Sequence, residues 1–233
     1  MLQMLQKIQN QRVHILNLGF ESDWILKSFE KSRPDKLYLI QKDKEDKKAE
    51  AVEEDIKKFS KKNKIGIKMI KNNEDFYLLV NQLKQVFEEE KGNNLYLAIS
   101  SGPRHNTSAF IVSSMLFGKY AKEVYLYSLK DGNFVELPHF EVKLPKKEVI
   151  EAIKFISYNE KGCKKKELRD YMFKEKHLEI GKCKDVEHTQ YVKLSRAVLD
   201  SAQYEWGLIK REGNKKGSRI SLTDEGRKWA KIF

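Results

Sequence analysis

The hydrophobic and polar positions of the first 130 residues alternate in blocks. Five short apolar runs stand out, at 13–18 (VHILNL), 36–40 (KLYLI), 65–70 (IGIKMI), 95–99 (LYLAI) and 124–127 (VYLY). Between them the spacing becomes that of helices near 22–31, 47–62, 74–91 and 106–120. Within the Lys-, Glu- and Asp-rich stretch 41–64, Val52, Ile56 and Phe59 keep i, i+4, i+7 spacing, which predicts a solvated amphipathic helix rather than a disordered tail. Runs that are apolar throughout, instead of alternating, belong to strands covered on both faces. With right-handed crossovers the pattern predicts an α/β fold, a Rossmann-like, doubly wound, mainly parallel sheet over residues 1–137.

After Phe134 the pattern changes. Pro138 and Pro145 bracket a short extended segment, HFEVKL. Helices fit 146–157, 164–173 and 189–205, the first two separated at Gly162. Two strand candidates follow at 208–211 (LIKR) and 219–222 (RISL), joined by the turn EGNKKGS, and a helix fits 224–232. Three helices, a β-hairpin and a closing helix are the parts of a winged helix-turn-helix, expected here over residues 138–233.

Charge sharpens this division. The formal net charge is +12, and residues 141–233 hold 23 basic against 15 acidic side chains, while residues 1–140 hold 23 against 19. An excess of +8 over the last 93 residues attracts polyanions. No run approaches the roughly 20 apolar residues of a membrane span, and the first residues lack the layout of a signal peptide. The two cysteines, Cys163 and Cys183, match no metal spacing and read as free thiols of a cytoplasmic protein. No resident cofactor, metal or membrane partner is expected.

In the hairpin, Gly213 and Gly217 permit a tight turn that carries Lys215, Lys216 and Arg219, suited to a phosphate backbone. On the preceding helix Leu194, Val198 and Ala202 are spaced for burial, and Lys193, Arg196, Asp200 and Gln203 form the opposite stripe. Thr189, Gln190, Lys193 and Arg196 lie toward its N-terminus, where base contacts fall, whereas Asp200 repels phosphates and should end the contact. Duplex DNA is the partner this arrangement fits, with a solvated helix face and a Lys-rich turn as the plainer alternative.

Two loops of the first domain follow strand ends, where open α/β sheets bind ligands. Gly19-Phe20-Glu21-Ser22-Asp23 closes the first strand, with Gly19 for a sharp exit and Ser22 or Asp23 to cap the next helix. Ser100 to Thr107 (SSGPRHNT) closes the fourth and combines hydroxyls, backbone donors near a helix start, Arg104 and His105, groups that hold an anionic or polar ligand. There is no GxGxxG and no P-loop, so a nicotinamide or NTP site is not indicated.

At these residues, RVHILNLGFESDWILKSF, DKLYLI and LYLAISSGPRHNTSAF, the chain resembles CARF-type domains, the CRISPR-associated Rossmann folds, and above all archaeal regulators that join such a domain to a C-terminal winged helix. The LTDEGRKWA ending resembles the hairpin-to-helix junction of winged-helix regulators. The resemblance implies a ligand site at Gly19, Phe20, Glu21, Asp23, Ser100, Ser101, Gly102, Arg104, His105 and Asn106. It also implies a homodimer whose ligand loops meet at the two-fold axis and, as in CRISPR-linked members, a cyclic oligoadenylate effector.

The resulting expectation is a ligand-responsive, DNA-binding transcriptional regulator that is not an enzyme. One alternative is a metal-independent ring nuclease that cleaves cyclic oligoadenylate, with Arg104 clamping phosphate and His105 orienting or moving a proton. Others are a ligand-independent DNA-binding protein and, with least support, a nuclease using Arg169 and His177 of the C-terminal region.

Overall fold

The computed structural model describes residues 10–19, 23–42, 47–72, 75–99, 104–127, 133–138, 142–213 and 217–233. The chain divides into two compact units, Met1–Val142 and Lys143–Phe233. In the first, strands β1 (Arg12–Asn17), β2 (Lys36–Lys42), β3 (Gly66–Asn72), β4 (Asn94–Ala98) and β5 (Ala121–Tyr127) alternate with helices α1 (Asp23–Ser32), α2 (Lys47–Asn63), α3 (Phe76–Glu89) and α4 (Arg104–Phe117). Every predicted strand and helix of this unit is present, with ends displaced by a few residues. A short strand that the apolar pattern does not predict, β6 (Phe134–Glu136), pairs antiparallel with β5. Only Phe134 of its three residues faces a core, so it leaves almost no hydrophobic signature.

The sheet order is β3-β2-β1-β4-β5-β6, and β1 to β5 are all parallel. This is the Rossmann-like α/β arrangement. β1 is central, and Val13, Ile15 and Leu16 are fully buried, each worth roughly 1.5–3 kcal/mol relative to exposure. Leu16, Leu37, Leu39, Tyr96 and Ala98 pack on one face against Trp24, Ile25 and Phe29 of α1 and Val52 and Ile56 of α2. Leu79, Leu83 and Phe87 of α3 and Ala109 and Phe110 of α4 are buried as well, and these two helices pack together. Among the described residues, no helix is long and apolar enough to cross a membrane.

The amino ends of the strands are tied by charge. Arg12 meets Asp35 through Nε and Nη2, both at 3.1 Å. Tyr38, 1% exposed, donates its hydroxyl to Glu90 Oε1 at 2.5 Å, and Lys36 Nζ donates to the same oxygen at 2.5 Å. Lys36 and Lys68 also lie over the Tyr38 ring, at 4.9 and 5.2 Å. Burial raises the Glu90 carboxyl, but the bonds from Lys36, Tyr38 and Asn93 outweigh it and hold the acid below the usual carboxylate range.

The second unit holds α5 (Lys147–Ser157), β7 (Cys163–Lys164), α6 (Lys165–Lys174), α7 (Val186–Leu194), β8 (Ile209–Glu212), β9 (Arg219–Leu222) and α8 (Asp224–Ile232). Its antiparallel sheet has the order β7-β9-β8, and the two-residue β7 is again unpredicted, being too short to show a period. The helix expected at 189–205 starts earlier, at Val186, because Asp185 caps it by accepting from the His188 amide at 3.0 Å. Past Leu194 it continues through two π-helical turns, Ser195–Leu199 and Ser201–Glu205. Leu194, Val198 and Ala202 are buried as their spacing predicts. They join Val149, Ile153, Leu168, Met172, Leu208 and Ile220 in one core. Gly213 takes a φ of 84°, the left-handed conformation the hairpin needs. At Gly226 the constraint is space, since a Cβ there would lie 2.0 Å from the Leu208 carbonyl oxygen. Cys163 is buried, which pushes its thiol up to about 12, and Cys183 is exposed.

The Glu90 cluster makes the stability of the first unit acid-sensitive. A carboxyl whose folded pKa lies below its unfolded value of about 4.3 stabilises fully above that pH and loses the contribution as pH falls through the folded pKa. We expect Glu90→Gln to unfold more readily than the parent at pH 7, by about 1–3 kcal/mol for the lost charge-assisted bonds. The gap should narrow below pH 4. Denaturant titrations at pH 7 and pH 3.5 check this, and an equal gap at both pH values counts against the cluster.

Candidate functional site

The sheet order reverses between β1 and β4: β1 connects outward to β2, and β4 outward to β5. Their carboxyl ends part visibly in the hydrogen bonding. Beyond β1 the Leu18 amide donates to Ile40 O of the β2 side at 2.8 Å, whereas beyond β4 the Ile99 amide donates to Tyr125 O of the β5 side at 2.9 Å. The described backbone therefore parts at this switch point, the place where open α/β sheets bind ligands.

Five of the ten residues expected at the ligand site can be located around this switch point. Gly19 is buried just past β1, and Asp23 is the first residue of α1. Arg104 opens α4 and is exposed, and no described residue pairs with its guanidinium. His105 is half-buried beside it, and Asn106 is 1% exposed. Phe20, Glu21, Ser100, Ser101 and Gly102 lie outside the described residues. α4 has 14 residues, so its first-turn amides lack partners within the helix and form the positive end of a helix dipole beside the Arg104 charge. The combination suits an anion.

Asn106 is more than a loop residue. Its Nδ2 donates to Asn17 Oδ1 at 3.0 Å, and its Oδ1 accepts from Asn72 Nδ2 at 3.0 Å. Asn17 ends β1 and Asn72 ends β3, and both are 1% exposed. The amide chain therefore fixes the first turn of α4 to the ends of two strands. Asn17 and Asn72 are absent from the sequence expectation. The available signal is an asparagine closing each strand, in VHILN and IKMIKN.

The residues expected to contact DNA lie in the second unit. Thr189 and Gln190 are half-buried in α7, and the Thr189 hydroxyl donates to Asp185 O at 2.7 Å. Lys193 is exposed but donates to the Glu179 carbonyl. Arg196 and Arg219 are exposed, and no described residue pairs with either; Lys215 and Lys216 lie outside the described residues. The polar stripe is less open than its spacing suggests. Asp200 Oδ1 accepts from Arg211 Nη1 of β8 at 3.0 Å, and Gln203 accepts from Arg211 Nε. Asp200 is thus neutralised within the unit. Arg169 is equally committed, 8% exposed, paired with Glu187 at 3.0 Å and with Asp170, and stacked 4.6 Å from the Tyr191 ring centroid.

Among the described residues, no group of three His, Cys, Asp or Glu could hold a metal ion. No curated protein matches the sequence. Solved structures do. Protein VC1899 from Vibrio cholerae is 11% identical with a TM-score of 0.46, covering 94% of this chain and 64% of its own. Csm6 of Enterococcus italicus, bound to cyclic hexa-2'-fluoro-hexa-dAMP, is 12% identical with a TM-score of 0.45, covering 85% and 56%. Can2 from Sulfobacillus thermosulfidooxidans, in complex with cyclic tetra-adenylate, is 10% identical with a TM-score of 0.40, covering 95% and 63%. The chain thus spans less than two thirds of the length of each. A family match covers residues 12–130, more than half of the chain, from the first residue of β1 to just beyond β5. By that match the chain belongs to the family described as HFX_2341_N:-like, N-terminal.

Proposed function

We propose that this protein is a ligand-responsive DNA-binding regulator. The N-terminal unit acts as a CARF-type sensor of an anionic nucleotide, a cyclic oligoadenylate, and the C-terminal unit acts on duplex DNA as a winged helix-turn-helix. The observation that carries the sensor reading is the start of a 14-residue helix, headed by the exposed Arg104, at the point where the β1 and β4 loops diverge. Helix amides and a guanidinium bind phosphate oxygens directly, while the amide chain through Asn106 holds them at fixed positions. Nothing in this reading requires catalysis.

Two copies enclose a cyclic ligand better than one. Leu78 of α3 and Ile111 and Met115 of α4 are large apolar side chains left 41%, 40% and 39% exposed. Ile111 and Met115 share a helix face and α3 packs on α4, so these positions suit an isologous contact. Light scattering at micromolar concentration should give a dimeric mass, and Ile111→Lys with Met115→Lys should halve it. A monomeric parent sinks the dimer.

For the ligand, Arg104→Ala should cost about 1.5–3 kcal/mol of cyclic tetra-adenylate binding, the worth of a hydrogen bond to a charged group. Lys58→Ala, on the exposed face of α2, should leave it unchanged. Calorimetric titration checks both. Equal affinity in Arg104→Ala and the parent would move the site elsewhere.

For DNA, the supporting features are a hairpin of β8 and β9 closed at Gly213 and the unpaired guanidiniums of Arg196 and Arg219. Each phosphate contact lowers log K by about 0.9 per decade of salt. Lys215→Ala with Lys216→Ala should weaken all duplexes alike and flatten that slope by up to about 2 units. Arg196→Ala should cost roughly 1–3 kcal/mol on a preferred site alone. Salt titrations on selected and random duplexes separate the two. A hairpin double variant with the parent's slope and affinity removes DNA binding from the reading.

A further inference from the structure

The chain of three amides beside α4 ends in an unused atom. Asn106 donates to Asn17, so its oxygen faces Asn72 and receives the Asn72 Nδ2. This turns the other branch of Asn72, the Oδ1 acceptor, away from the chain. That oxygen is buried, and no hydrogen-bond donor meets it. A buried carbonyl without a donor is costly, and such an atom calls for a donor from water, an ion or a ligand. Here the atom stands at the carboxyl end of β3, one hydrogen bond removed from the first turn of α4, which carries Arg104.

We propose that Asn72 is a specificity-determining residue of the ligand site, its Oδ1 accepting a hydrogen bond from a neutral N–H or O–H group of the ligand. The proposal rests on the reading of the N-terminal unit as a nucleotide sensor and narrows it. Helix amides and Arg104 recognise negative charge without regard to what carries it. Asn72 instead selects a phosphorylated ligand with a donor group. Two groups of an adenine nucleotide fit, the 6-amino group of the base and the ribose 2'-hydroxyl. A phosphate or sulfate ion supplies neither.

The role of Asn72 differs from that of Asn106. Each branch of the Asn106 amide already makes a hydrogen bond inside the protein, so its first task is to position α4. Losing Asn106 therefore disturbs every ligand equally, whereas losing Asn72 removes discrimination between ligands.

The test is calorimetric titration of the full chain with cyclic tetra-adenylate, its analogue lacking the 6-amino groups, and its 2'-deoxy analogue. The parent should prefer the natural ring over one of the analogues by roughly five- to tenfold, the scale of one hydrogen bond. Asn72→Ala should erase that preference, and Asn106→Ala should weaken all three ligands by a common factor and keep it. Thermal unfolding of each variant checks the fold, and Asn72→Leu, branched like Asn, replaces the alanine variant if that one is unfolded. A parent without preference, or an Asn72 variant that retains it, overturns the inference and leaves the sensor intact. A parent that binds none of the three rings overturns the sensor reading together with this one.

Discussion

Strands β1 and β4 lie side by side in the middle of the sheet and are buried nearly throughout, which leaves them no polar surface except at their ends. The connections then run in opposite directions, so backbone groups beyond the two strands pair with β2 on one side and β5 on the other. Everything chemical in the N-terminal unit follows from that divergence. Among the described residues, the amide chain of Asn17, Asn106 and Asn72 ties the start of α4 to the carboxyl ends of β1 and β3.

The two ends of the sheet satisfy their polar groups differently. At the amino ends, full charges are paired, Arg12 with Asp35 and Lys36 with Glu90, which also accepts from the neutral Tyr38 hydroxyl. Burial there raises the Tyr38 hydroxyl further above its ordinary range, with the Glu90 carboxylate adding to the effect. At the carboxyl ends, neutral amides do the linking, and Arg104 beside them is exposed. Neutral amides hold α4 without cancelling either its dipole or the Arg104 charge. An ion pair in the same place would strengthen the scaffold and weaken the attraction for an anion.

In the C-terminal unit the corresponding question is which charges are spent inside the fold. Arg211 takes up Asp200 and Gln203, and Arg169 takes up Asp170 and Glu187. Two acids that would repel a polyanion, Asp200 and Glu187, are thereby compensated within the unit. Arg196 and Arg219 keep their charge for solvent or a partner. The basic excess counted along the sequence thus understates how selectively the cations are distributed.

Hydrophobic spacing alone determined the five parallel strands, the helices between them and the core positions Leu194, Val198 and Ala202, because burial leaves continuous apolar runs in strands covered on both faces and a period of 3.6 residues in helices. Gly19 and Arg104 to Asn106 were legible as candidates because they follow apolar runs in loops with anion-binding chemistry. Tertiary structure decided what has no period: the strands β6 and β7, the pairing of Arg211 with Asp200 across 11 residues, and the meeting of Asn17, Asn72 and Asn106 across as many as 89. A hydrogen bond between distant side chains depends on where the sheet order and the helix packing bring them, and a single sequence records the residues without recording that distance.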